Sequence, residues 1–139
     1  MMPARARRPY ARQLGICEDT VRLAKESGAR FGTWTSRPPR DALNPAELLL
    51  TALSACMIKG IERVAPMLTF SFRGVEIRVH GVRQDVPPRM ERIDYEILVD
   101  TDEPDRRLEL LHENVKKYGT VFNTVAPGTV LEGVLRRAS

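Results

Sequence analysis

Cys56 is the residue of this chain best suited to covalent chemistry, and its neighbours decide whether that chemistry is open to it. A thiol attacks only as thiolate, which at neutral pH calls for a nearby cation or a helix N-terminus. Lys59 stands three residues on, a spacing that shares one helical face, and Arg37 and Arg40 precede it in the chain. Glu47 supplies a carboxylate upstream, and Cys17 is the one other thiol able to form an internal disulfide. Each group also has a plainer role. Cys56 can be a small apolar core filler, Lys59 a helix-end residue reaching water, and Glu47 the acid of a helix cap. His80 and His112 lie far apart, without Cys or His at ligand spacing, so neither a metal nor another cofactor is expected.

The run that carries Cys56, NPAELLLTALSACMIKGIERV from Asn44 to Val64, opens as a helix should. Asn44 suits the N-cap, Pro45 the first helical position and Glu47 the capping-box position. No charge occurs between Glu47 and Lys59, so the pattern predicts a helix buried on all sides, too short in its apolar part to span a bilayer. Cys56 is about eleven residues inside it, beyond useful reach of the helix dipole.

Around this helix the patterning predicts an α+β plan of antiparallel sheets. Three short strands are expected near 13–17, 20–25 and 30–35, with Glu18-Asp19 and Ser27-Gly28 as turns. The stretch SRPPRDAL, 36–43, is a surface loop by virtue of Pro38 and Pro39, and Pro66 marks the end of the helix. Strands over 74–82 and 93–99 place Val75, Ile77, Val79, Ile93, Tyr95, Ile97 and Val99 inward, joined by a wide turn, QDVPPRM. His80 falls on the wet face. A second helix begins near Asp102, with Leu108, Leu111, Val115 and Tyr118 as its stripe, His112 on its flank and Gly119 as its stop. A turn over 121–125 leads to a last strand, 129–135. A helix apolar all round needs more cover than one such sheet gives, which points to a homodimer.

Composition bounds the function class. The hydrophobic content of 42% and charged content of 29% describe an ordinary globular domain, here 10–139, preceded by a mobile basic arm, 1–9. The net charge of +4 comes from Arg5, Arg7, Arg8 and Arg12; the rest of the chain is neutral overall. Without aromatic interleaving or a helix-turn-helix pattern, nucleic acid is not an expected partner, nor is a membrane. With no signal peptide in view, a reducing cytoplasm with free thiols is expected.

Two segments carry a family resemblance. NPAELLLTALSACM resembles the central-helix signature of the OsmC/Ohr family, and KKYGTVFNTV, 116–125, is similar to its K-Y-C-P-V-S-N-T-L segment. The resemblance implies an intertwined homodimer with a long buried central helix, and thiol peroxidase activity toward hydroperoxides in oxidative-stress defence. It assigns the peroxidatic role to Cys56, with a second Cys as resolving thiol, an Arg and a Glu holding the thiolate, and an external thiol as reductant. This chain departs from that set: Gly119 stands where the second Cys belongs, Thr120 replaces the following Pro, and Ala46 occupies the Glu position beside Glu47. Arg37 and Arg40 are the candidates for the Arg. Three readings follow: a one-Cys centre at Cys56, a pair in which Cys17 resolves, or a non-catalytic fold whose interface cleft binds a small apolar ligand.

Overall fold

The computed structural model describes residues 17–26, 32–35 and 44–139. The basic arm 1–9, the start of the expected first strand, the Ser27-Gly28 turn and the loop with Arg37 and Arg40 lie outside the described residues. The elements run β1 (Cys17–Glu26), β2 (Gly32–Thr35), α1 (Pro45–Met67), β3 (Gly74–Asp85), β4 (Pro88–Asp100), α2 (Asp105–Tyr118), α3 (Thr120–Val125) and β5 (Val130–Arg137). The strands form one sheet in the order β2-β1-β3-β4-β5. The architecture is α+β, as the patterning predicts, with three helices packed against one sheet.

α1 starts where its sequence says. The Asn44 side chain accepts from the Glu47 N–H at 2.8 Å, while the Glu47 carboxylate accepts from the Asn44 N–H at 2.9 Å. The two bonds satisfy donors that a helix start leaves orphaned, a device whose loss costs about 1 kcal/mol. Leu50, Leu53, Met57, Ile58 and Ile61 are fully buried against Ile77, Val79, Ile93, Ile97 and Val99 of β3 and β4. Each such side chain contributes about 1.5–3 kcal/mol by leaving water. Ser54 is buried among them and gives its hydroxyl proton to the Leu50 carbonyl at 2.8 Å.

The described residues of one chain do not cover α1 on every side. Leu48 is 54% exposed, and Ala52, Lys59 and Arg63 follow it as an open stripe along the helix. Among the described residues, the sheet covers one face and α2 and α3 cover a flank, and none covers the third face. Pro66 does not precede the helix end either: it sits in the last turn, and Leu68 closes that turn by donating to the Val64 carbonyl.

The sheet departs from the expected plan in three ways. β1 is continuous through Glu18 and Asp19, whose Cα positions oppose Val82 and Gly81 in the antiparallel ladder with β3. Ladder pairing outweighs the turn preference of those residues. The β3–β4 hairpin is tight, pairing Asp85 with Pro88 across Val86-Pro87. Lastly, β5 pairs parallel to β4, from Arg92↔Val130 to Val99↔Arg137. A parallel neighbour requires a crossover, and α2 and α3 form it, carrying the chain back across α1.

The opposite face of the sheet is charged and ordered. Arg22 of β1 pairs with Glu76 at 3.0 Å, Arg78 reaches Glu76 and Glu96, and Arg136 of β5 reaches Glu96 at 2.8 Å. Pairs of this kind contribute little singly, up to about 1 kcal/mol. Their alternation across four strands favours one register, because a one-residue slip would turn these charges into the core.

Candidate functional site at Cys56

Cys56 is the twelfth residue of α1, half-buried and free of any disulfide. What stands opposite its sulfur is backbone. Gly119 is the single residue between α2 and α3, extended at φ −77° and ψ 113°, and it ends one helix and begins the next. A Cβ built on Gly119 would lie 3.4 Å from Cys56 Sγ and 3.0 Å from both Phe122 Cβ and the Val115 carbonyl oxygen. The φ is one any residue adopts, so glycine serves here through space: it lets the break approach the thiol without a side chain between them. Local bonds hold the break. The Asn123 N–H donates to the Gly119 carbonyl at 2.9 Å, and the Asn123 side-chain amide donates to the Lys117 carbonyl at 3.1 Å.

Glu47 does not join this arrangement. It is 1% exposed and bound into the capping box. Nine residues separate it from Cys56, which at 100° and 1.5 Å per residue places it about 14 Å along the axis on the far side of the helix. Ala46 beside it has no carboxylate to offer. Lys59 shares the side of α1 near Cys56, but its ammonium is exposed and lies 3.7 Å from Glu62. Among the described residues, Gly119 is thus the expected site position that meets Cys56, and Arg37 and Arg40 lie outside them.

The placement of Cys17 follows from the ladder. Its Cα opposes Arg83, near the hairpin end of β3. Leu50 lies against Gly81, and Cys56 is six residues further on, about 9 Å of helical rise toward the start of β3. The Cys17 and Cys56 positions therefore lie on opposite sides of the Leu50–Gly81 contact along β3.

One feature near the site has no counterpart in the sequence expectations. Tyr95 of β4 shares a 2.7 Å hydrogen bond with His112 Nε2 of α2, and their rings meet edge to face at 5.7 Å. The Tyr95 ring also meets Phe122 of α3 edge to face at 6.2 Å. Burial pushes the Tyr95 phenol up to about 12. Burial, with a smaller repulsion from Lys116, pushes the His112 imidazole down to about 4. A signal was present: an inward-facing Tyr needs a partner for its hydroxyl. Among the described residues, no group of three or more His, Cys, Asp or Glu could hold a metal ion, and no helix is long and apolar enough to cross a membrane.

A sequence model described as OsmC-like protein matches residues 38–132. No curated protein matches the chain. Among solved structures, an OsmC-like protein from Mycoplasma pneumoniae superposes with a TM-score of 0.68 at 15% identity, over 85% of this chain and 96% of that one. An organic hydroperoxide resistance protein OsmC from Legionella pneumophila gives 0.61 at 17%, over 82% and 95%. The organic hydroperoxide resistance protein OhrB of Bacillus subtilis gives 0.54 at 14%, over 85% and 97%. At these identities the superpositions speak to the fold.

The depressed His112 sets a pH expectation. An unfolded imidazole titrates near about 6.5, so as pH falls the unfolded chain takes the proton first. Stability from the neutral His112 is full above about pH 6.5 and is lost progressively toward about pH 4. Urea unfolding of the wild type and of His112→Gln should therefore show the wild-type advantage shrinking across that window. Parallel curves would show that His112 does not titrate as placed.

Proposed function

This chain belongs to the OsmC-like protein family, and we propose that within it the chain acts as a one-cysteine thiol peroxidase whose reacting sulfur is Cys56. The observation that supports the reading is the half-buried Cys56 thiol facing the side-chain-free backbone of Gly119. The hydroperoxide-resistance names of the Legionella and Bacillus relatives point to the same substrate class.

The chemistry runs in balanced steps. Cys56 thiolate attacks the outer oxygen of a hydroperoxide, the O–O bond breaks, and the alcohol leaves with a proton; sulfur is oxidised by two electrons to sulfenic acid. With Gly119 in place of a resolving thiol, an external small thiol attacks the sulfenic acid, releasing water and leaving a mixed disulfide. A second external thiol displaces Cys56 and carries the oxidising equivalents away as a small disulfide. Cys17 is set aside as resolving partner because its Cα stands opposite Arg83 at the hairpin end of β3, whereas α1 carries Cys56 toward the start of that strand. The cations Arg37 and Arg40 remain the proposed source of thiolate stabilisation.

Consumption of an organic hydroperoxide in the presence of a small thiol tests the reading. The wild type should react orders of magnitude faster than free cysteine, Cys56→Ser should be inactive, and Cys17→Ser should keep the activity. A wild-type rate equal to that of free cysteine would overturn it.

We also propose that the open stripe of α1, led by Leu48 and Ala52, is covered by a second copy of the chain in a homodimer. The exposed Leu48 and Ala52 at the start of an otherwise buried helix support such cover. Light scattering should give a dimer for the wild type and a monomer for Leu48→Lys. A monomeric wild type would contradict this.

A further inference from the structure

We propose that Tyr95 and His112 form a latch that holds the α2–α3 break against Cys56 and so sets how far the thiol opens to reactants. The supporting contacts are contiguous. Tyr95 touches the crossover on both sides of the break, through His112 before it and Phe122 after it. Phe122 Cβ and Cys56 Sγ in turn flank the same point, 3.0 and 3.4 Å from where a Gly119 side chain would begin. The path from His112 to the sulfur thus runs through Tyr95 and Phe122 to the space beside Gly119, which Phe122 and Cys56 both border.

The Tyr95 ring has little freedom to move away. A Cβ on Gly133 of β5 would lie 2.4 Å from the ring and from the Tyr95 carbonyl, so the β5 backbone closes directly on it. The phenol is then wedged between strand and helices, and its hydroxyl is directed to His112. The break itself is a weak point. Gly119 is the residue with the greatest backbone freedom, and α3 has only six residues, too few to hold itself in place. A bond that ties α2 to β4 one turn or two before the break, with an aromatic contact just after it, fixes the angle between α2 and α3. His112 and Tyr95 are positioning residues in this account, since neither needs to touch a substrate.

The consequence for catalysis rests on the peroxidase reading, but the latch itself is testable without peroxide. Iodoacetamide alkylation of Cys56, followed peptide by peptide by mass spectrometry, reports its opening. Tyr95→Phe and His112→Ala should speed Cys56 alkylation about three- to tenfold, the factor expected from losing one hydrogen bond. His112→Gln, whose amide can replace the imidazole nitrogen, should stay within about twofold of the wild type. Amide exchange over 119–125 should accelerate in Tyr95→Phe and His112→Ala while that over 105–111 does not. Unchanged alkylation in both variants, no rescue by glutamine, or uniform acceleration along α2 and α3 would each overturn the latch. If His112→Ala fails to fold, Tyr95→Phe, which removes one hydroxyl, carries the comparison. A sluggish peroxide reaction with the alkylation pattern intact would sink the peroxidase reading and leave the latch standing.

Discussion

The close approach of the Gly119 backbone to the middle of α1 is the contact on which the rest of the site depends. It exists because α1 is apolar enough to pack on the sheet over β1 and β3 and because β5 is parallel to β4. A parallel strand obliges the chain to cross back over the sheet, and the sheet is already occupied by α1. The crossover must therefore pass beside α1, and it bends at Gly119, where no side chain stands between the backbone and α1. Cys56 faces that bend. Its position follows from packing and topology, without any polar interaction to the sulfur among the described residues.

Two kinds of interaction divide the molecule. One sheet face carries ion pairs that run from Arg22 to Arg136 and keep the strands in register. The other is nearly dry, and the polar groups admitted there are paired: Ser54 with its own helix, Glu47 with its cap, Tyr95 with His112. Low dielectric raises the cost of leaving such groups unpaired, so each pair also fixes a geometry. The Tyr95–His112 pair is the one of these that spans two elements next to the thiol. Glu47, by contrast, is fully engaged at the helix start, which agrees with its sequence position one residue off the family's carboxylate.

Much of this was legible in the sequence, and the reasons differ by element. Asn44, Pro45 and Glu47 announce α1 because capping is local chemistry, decided within one turn. The inward residues of β3 and β4 were legible because a half-buried strand alternates with period two. The match of KKYG to the family segment identified Gly119 as a site position, and the structure places it against Cys56. The parallel course of β5 was not legible, since a strand's own residues do not state its direction relative to a neighbour. Nor was the continuity of β1: Glu18 and Asp19 favour turns locally, and only the ladder to β3 overrides them. The open face of α1 was hidden for a related reason, because an apolar face reads the same whether this chain or another covers it. His112 looked like a flank residue beside Leu111, and its partner lies seventeen positions away on a strand.

Gly119 occupies the place from which a side chain would meet Cys56 Sγ. Gly119→Cys tests it most directly. Treated with one equivalent of an organic hydroperoxide, this variant should lose two hydrogen atoms and yield a peptide in which Cys56 is linked to the introduced thiol, since a Cβ at that place lies 3.4 Å from Cys56 Sγ. If the variant folds but instead gains oxygen at Cys56, with the introduced thiol left free, the placement of the α2–α3 break against the sulfur is contradicted.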